Sequence, residues 1–249
     1  INRSLHFQIS DRRINMDEKK YCNARWAIGI VSVLTLLVAG FELFIAYTQY
    51  QSGMTIGDVA TYVTNKRHIY ILLLIIVNLS LLPRALLLYK ENGISLKDEI
   101  YDKKTLGKDI LYGIVAYIAS EVIGDVYAWL INLIPGIGTT DMARQGKEMG
   151  ISIITMEIIG LVFVSGIVKE IYFRGLAKRF CGPVFGEMAA LLMFNVLFAI
   201  LDWHNLGCSF IIGLIWIFAY RKTNHLITPM ICHICSGLFY VIYSLIYFL

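Results

Sequence analysis

The chain has 249 residues, room for one ordinary domain or two small ones. Hydrophobic residues make up 57% and charged residues 16%, and the mean hydropathy is +0.66, a balance that excludes disordered, fibrous and ordinary soluble classes. The net charge of +4 does not point to nucleic acid, because the basic residues collect in short loops between apolar runs, as they do in membrane proteins.

In chain order the sequence predicts an all-α, multi-pass membrane bundle of about seven transmembrane helices with the N-terminus inside. Residues 1–25 are polar, and since the only early methionine is Met16 the first fifteen residues are set aside from fold reasoning. An apolar run from Trp26 to Tyr50 follows a basic stretch and reads as an uncleaved signal anchor. Further runs cover Ile69 to Tyr89, Leu106 to Ile134, Ile151 to Arg174, Val184 to Asp202, Cys208 to Tyr220 and Leu226 to Leu249. The run from Cys208 is short for a span and is expected to extend into its flanks or be shielded by neighbours.

With alternating spans, 15 Lys and Arg lie inside (before Trp26, Lys90 to Lys108, Lys178 and Arg179, Arg221 and Lys222) against 4 outside (Lys66, Arg67, Arg144, Lys147). That bias sets the expected orientation. Pro135 to Gly138 closes the third span, Gly182-Pro183 separates the fourth from the fifth, and Pro229 opens the last. The stretch Gly93 to Lys108, with Ile94, Leu96, Ile100 and Leu106 among four lysines, is either an amphipathic segment on an anionic inner leaflet or a solvated connector. The division expected is 1–25 as a polar segment, 26–105 as two helices and a connector, and 106–249 as the core.

Ionisable groups at membrane depth are costly, so each is a functional candidate. Glu121 and Asp125 share one face of the third span, and Glu170 and Arg174 are again four apart and able to pair. Lys169, about 100 degrees around the helix from Glu170, would reach for Glu121 or Asp125. Asp202, His204 and His233 follow on later spans. Singly each reads as a polar contact that fixes helix packing; together, a carboxylate and two imidazoles suit water activation, directly or through a metal. The five cysteines, an odd number mostly in apolar segments, read as buried hydrophobes rather than a disulfide framework. Cys232 and Cys235 around His233 have metal-like spacing, although packing is the commoner use of such a pattern in an apolar helix.

The stretch Lys169-Glu170-Ile171-Tyr172-Phe173-Arg174-Gly175 resembles the first motif, Glu-Glu-x-x-x-Arg, of the CAAX protease and bacteriocin-processing (CPBP or Abi) family. Phe198 to Asp202 is similar to its Phe-x-x-x-His motif, and His233 to Gly237 to its His-x-x-x-Asn motif. The resemblance implies a helical membrane bundle with endopeptidase activity, water being activated by glutamate and histidine. Carried over by position, Glu170, Arg174 and His233 match. Lys169 stands where the first Glu is expected, Asp202 where the second-motif His is expected with His204 two residues later, and Gly237 where an Asn would stabilise the oxyanion. At about 1.5 Å per residue, Glu170 lies roughly 15 Å and Asp202 roughly 27 Å from the inner side, so tilt or a break at Gly175 has to close the gap.

The expected catalytic set is therefore Glu170, Arg174, His233 and Asp202 or His204. Its substrate is a peptide or a membrane-protein segment within the lipid bilayer. No cofactor is required, although a divalent metal such as zinc is compatible. The resemblance and short loops suggest a bacterial plasma membrane. Alternatives are a non-catalytic member acting as a bacteriocin self-immunity protein or membrane-protein regulator, with Lys169 paired to Glu121 or Asp125, and, less favoured, a transporter using the acidic pair.

Overall fold

A computed structural model describes residues 2–53, 67–133, 151–203 and 207–248, with no strand among them. The helices are α1 (Asn2–Gln51), α2 (Arg67–Glu91), α3 (Leu96–Ile100) and α4 (Leu106–Asn132). Next, α5 opens as Ile151–Glu157 and runs on in wide π-type turns through Ile158–Lys169 and Ile171–Cys181; the whole rod, 151–181, is α5 below. The chain ends with α6 (Gly182–Phe185), α7 (Glu187–Leu201), α8 (Cys208–Thr223) and α9 (Ile227–Phe248). The expected spans correspond to α1, α2, α4, α5, α7, α8 and α9. Backbone from the polar N-terminal segment is continuous with the first span in α1, 50 residues long. The expected turn at Pro135 to Gly138 lies outside the described residues, as do Lys66, Arg144 and Lys147.

Three helical stretches are long and apolar enough to cross a bilayer, Asp17–Gln51, His68–Glu91 and Leu106–Ile131, while Glu187–Leu201 and Ile227–Tyr243 are shorter apolar helices. Their outward faces are apolar as well: Leu111, Val115, Ile118, Val122 and Val126 of α4 are all exposed, a surface that water would not tolerate but hydrocarbon does. The protein is an integral membrane protein, an all-α multi-pass bundle.

Small residues bring the helices close where no hydrophobic force between them is available in lipid. A Cβ added at Gly166 of α5 would fall 2.6 Å from Ile234 Cγ1 of α9, and one at Gly237 of α9 would fall 3.0 Å from the Leu161 carbonyl oxygen of α5. The α5–α9 seam is thus closed by near-backbone contact from both sides. Gly175 has a similar reason: the Tyr89 hydroxyl lies 2.5 Å from where its Cβ would be. No break occurs at Gly175, and the helical turns run through it.

Gly182-Pro183 separates the fourth span from the fifth as expected, opening the short α6 with Pro183 in its first turn, where its missing N–H costs nothing; Gly186, at φ 86°, a backbone region open to glycine, then leads into α7. One local expectation is corrected. The connector Gly93 to Lys108 neither lies on lipid through its apolar side nor floats in water, because Ile94, Leu96 and Ile100 pack against the protein core. Ser95 caps α3 by accepting from the Asp98 N–H. Buried Glu99 pairs with Arg179 at the end of α5, and its carbonyl accepts from the Leu226 N–H at 2.8 Å. In this way α3 ties α5 to the start of α9. Arg84, a cation within α2, stacks 4.1 Å over Trp26 of α1 and pairs with Glu91 at 3.0 Å.

Candidate active site

Glu170 and Arg174 come from one stretch of α5, and the Arg174 Nη1 donates to Glu170 Oε1 at 3.1 Å. Both side chains are essentially sealed, at 0% and 1% exposure, so neither charge would be tolerable without the other. The Lys–Glu–x–x–x–Arg spacing therefore does what the sequence reading expects. From across the seam, His233 Nδ1 of α9 lies 2.8 Å from the same Oε1. A carboxylate beside an arginine accepts only, so Nδ1 carries the hydrogen and, when the ring is neutral, its lone pair is on Nε2.

Aromatic rings wall this pair. Phe198 of α7 meets His233 edge to face, with centroids 5.8 Å apart, and Trp216 of α8 lies 4.9 Å from the imidazole. The Arg174 guanidinium lies 4.4 Å over Phe198 and 5.6 Å over Trp216. Ser120 of α4 accepts from Trp216 Nε1 at 3.3 Å and so fixes the indole. Low-dielectric walls of this kind strengthen every charge interaction inside them. Four helices, α5, α7, α8 and α9, thus supply the cluster directly, and α4 holds it from behind.

Two polar atoms remain without a hydrogen-bond partner: Glu170 Oε2 and Arg174 Nη2 are both buried and unsatisfied. Such orphaned atoms are rare in native structures and call for a functional or solvent explanation.

Lys169 is buried at 3% exposure. It does not reach Glu121 or Asp125, because it faces α7, with its ammonium 5.7 Å from the Phe198 centroid, whereas Glu121 faces Ser236 of α9. The expected pairing is therefore absent among the described residues. Asp202 caps the end of α7, and its side chain meets the Ser209 hydroxyl at 3.5 Å; no contact joins it to Glu170, Arg174 or His233 among the described residues. His204 lies outside the described residues. A side chain at Gly237 would be crowded, since its Cβ would fall 3.0 Å from the Leu161 carbonyl oxygen and the α5 backbone would have to give way.

Among the described residues no group of three or more His, Cys, Asp and Glu side chains converges as a metal-ligand set. The Cys232 thiol instead donates to the Gly113 carbonyl of α4 at 3.2 Å, a packing use. Trp216 and Ser120 were not singled out by the sequence, in which an indole inside an apolar run is indistinguishable from core. A second carboxylate–imidazole pair was missed as well. Asp109 of α4 accepts at Oδ2 from the Thr105 hydroxyl at 2.8 Å and lies 2.8 Å from His225 Nδ1. Nearby, Thr228 donates to the Asp109 carbonyl oxygen at 3.2 Å and meets Thr223 at 2.8 Å. The available signal was an acidic residue in the first turn of a span facing a histidine just before another.

No curated protein and no solved structure gives a significant match to the chain. The stretch that supplies Glu170, Arg174, Phe198, Trp216 and His233 does find a family: residues 151–239 match the family model described as Rce1-like, type II CAAX prenyl endopeptidase Rce1-like, and over these helices the chain is similar to that protease family.

Proposed function

We propose that the protein is a membrane-embedded endopeptidase that hydrolyses a peptide bond in a peptide or membrane-protein segment, with Glu170 and His233 as its working pair. The observation that carries this reading is the 2.8 Å contact between His233 Nδ1 and Glu170 Oε1, made inside the stretch that matches the protease family. Glu170 orients the ring and compensates the imidazolium that forms, and Arg174 fixes Glu170. His233 Nε2 takes a proton from a water molecule as the water oxygen bonds to the scissile carbonyl carbon. The same proton then passes to the leaving nitrogen as the C–N bond breaks, giving a carboxylic acid and an amine, between which the remaining proton then redistributes to carboxylate and ammonium. In this reading the imidazole is the base, and Glu170, bonded through Oε1 to both Arg174 and His233, orients and compensates it.

The test is turnover of a quenched peptide library by the purified full chain in detergent, beside Glu170→Gln and His233→Ala. Turnover lost in both folded variants supports the reading; turnover retained in either sinks it. A second reading, a non-catalytic partner such as an immunity protein or regulator, is favoured by the placement of Asp202 away from the pair and by the cation at Lys169. Absence of turnover from a well-folded wild-type protein would support it.

A further inference from the structure

The charges around Phe198 do not balance. Lys169 and Arg174 both lie over its ring, at 5.7 and 4.4 Å from the centroid, and both are almost fully buried. Against these two cations the cluster sets one carboxylate, Glu170, which is bonded to Arg174. Lys169 has no carboxylate within ion-pair distance among the described residues, and the aromatic face repays only a small part of what burying a charge costs.

Of the N–H donors in the cluster, Trp216 Nε1 is committed to Ser120 and Arg174 Nη1 to Glu170. Arg174 Nη2 is buried and unpartnered, and the Lys169 ammonium meets the Phe198 ring. Two cations against one carboxylate, with the buried Arg174 Nη2 unpartnered beside a carboxylate–imidazole pair, is chemistry suited to holding an anion.

We propose that Lys169, with Arg174 Nη2, is the oxyanion-stabilising group of this site, a catalytic residue that holds the tetrahedral anion formed at the scissile carbonyl. The proposal rests on the hydrolytic reading above. As water oxygen bonds to the carbonyl carbon and its proton moves to His233 Nε2, the carbonyl π pair becomes a full negative charge on oxygen. That charge neutralises the surplus, and it is relieved when the C–N bond breaks and the carbonyl re-forms. Positive groups fixed in advance in a dry site act most strongly on charge that appears only in the transition state. Gly237 cannot share the task, being pressed against Leu161.

The experiment uses the full chain in nanodiscs and compares the wild type with Lys169→Met, Lys169→Gln and Lys169→Arg. It reads kcat and KM on a cleaved peptide, the pH–rate profile, and the Kd of a peptidyl phosphonate, a stable tetrahedral anion. Expected are a fall in kcat of about a hundredfold or more in the Met and Gln variants, KM within a few-fold, a comparable rise in phosphonate Kd, an unmoved pH profile, and recovery of most of both losses by Arg. Unchanged kcat and phosphonate Kd in a folded Met or Gln variant would overturn the proposal and leave Lys169 as packing on Phe198. A wild type that binds phosphonate through Lys169 but cleaves nothing would retain the anion seat and remove the hydrolytic reading. One that cleaves through Glu170 and His233 irrespective of Lys169 would do the reverse. No phosphonate binding by the wild type would overturn the seat.

Discussion

Two carboxylate–imidazole pairs sit in this bundle at the same separation, Glu170 with His233 and Asp109 with His225, each at 2.8 Å. Around Asp109 the neighbours are hydroxyls: Thr105 donates to the same carboxylate oxygen, and Thr228 and Thr223 continue the chain of hydrogen bonds. Around Glu170 the neighbours are rings and cations, and a carboxylate oxygen and a guanidinium nitrogen stay unsatisfied. The first pair leaves no buried polar side-chain atom unsatisfied among the described residues and clasps α4 to the start of α9. The second retains unused valence in a dry setting. Distance alone does not separate a clasp from a catalytic pair; what the surrounding atoms leave unbonded does.

The largest effect expected from breaking this contrast is on rate. His233→Ala or Glu170→Gln should lower turnover about a hundredfold to ten-thousandfold, whereas His225→Ala should leave kcat within a few-fold, both measured on the same peptide; equal losses would erase the distinction. Next is stability. Arg174→Met strands the buried Glu170 charge and should cost about 3–5 kcal/mol, read as a lowered unfolding midpoint in detergent; an unmoved midpoint would mean that Glu170 does not depend on Arg174. Asp109→Ala removes the acceptor from Thr105 and His225 and should cost about 1–3 kcal/mol, with thermal unfolding as the check. Gly237→Asn should cost about 1–3 kcal/mol through crowding against Leu161 and restore no rate, so a faster variant would show that the seam can yield. The smallest and oppositely signed effect is at Lys169: replacing an unpaired buried ammonium by Met should raise the unfolding midpoint slightly while rate falls, the usual exchange between stability and activity.

Much of this was legible in the sequence because lipid imposes simple rules. Long apolar runs placed the spans, and the four-residue spacing of Glu170 and Arg174 foretold their pairing, since both features are local. The partner of Lys169 was not legible, because the azimuth of a side chain follows turn geometry and neighbour choice; here it faces α7, while Glu121 faces α9. Nor was the difference between Gly237 as a lost functional side chain and Gly237 as a contact surface, which requires knowing that Leu161 lies across the seam. His225 and Asp109 are 116 residues apart, a separation at which only the fold supplies proximity.

The glycine contacts between α5 and α9 also determine the direction of access. Glu170 and His233 belong to opposite sides of that seam, so a substrate wedging in there would part the hydrogen bond it needs, and Leu161 and Gly237 leave no gap to wedge into. On the hydrolytic reading a substrate segment would therefore meet the pair from the side of α7 and α8, where Phe198 and Trp216 wall it.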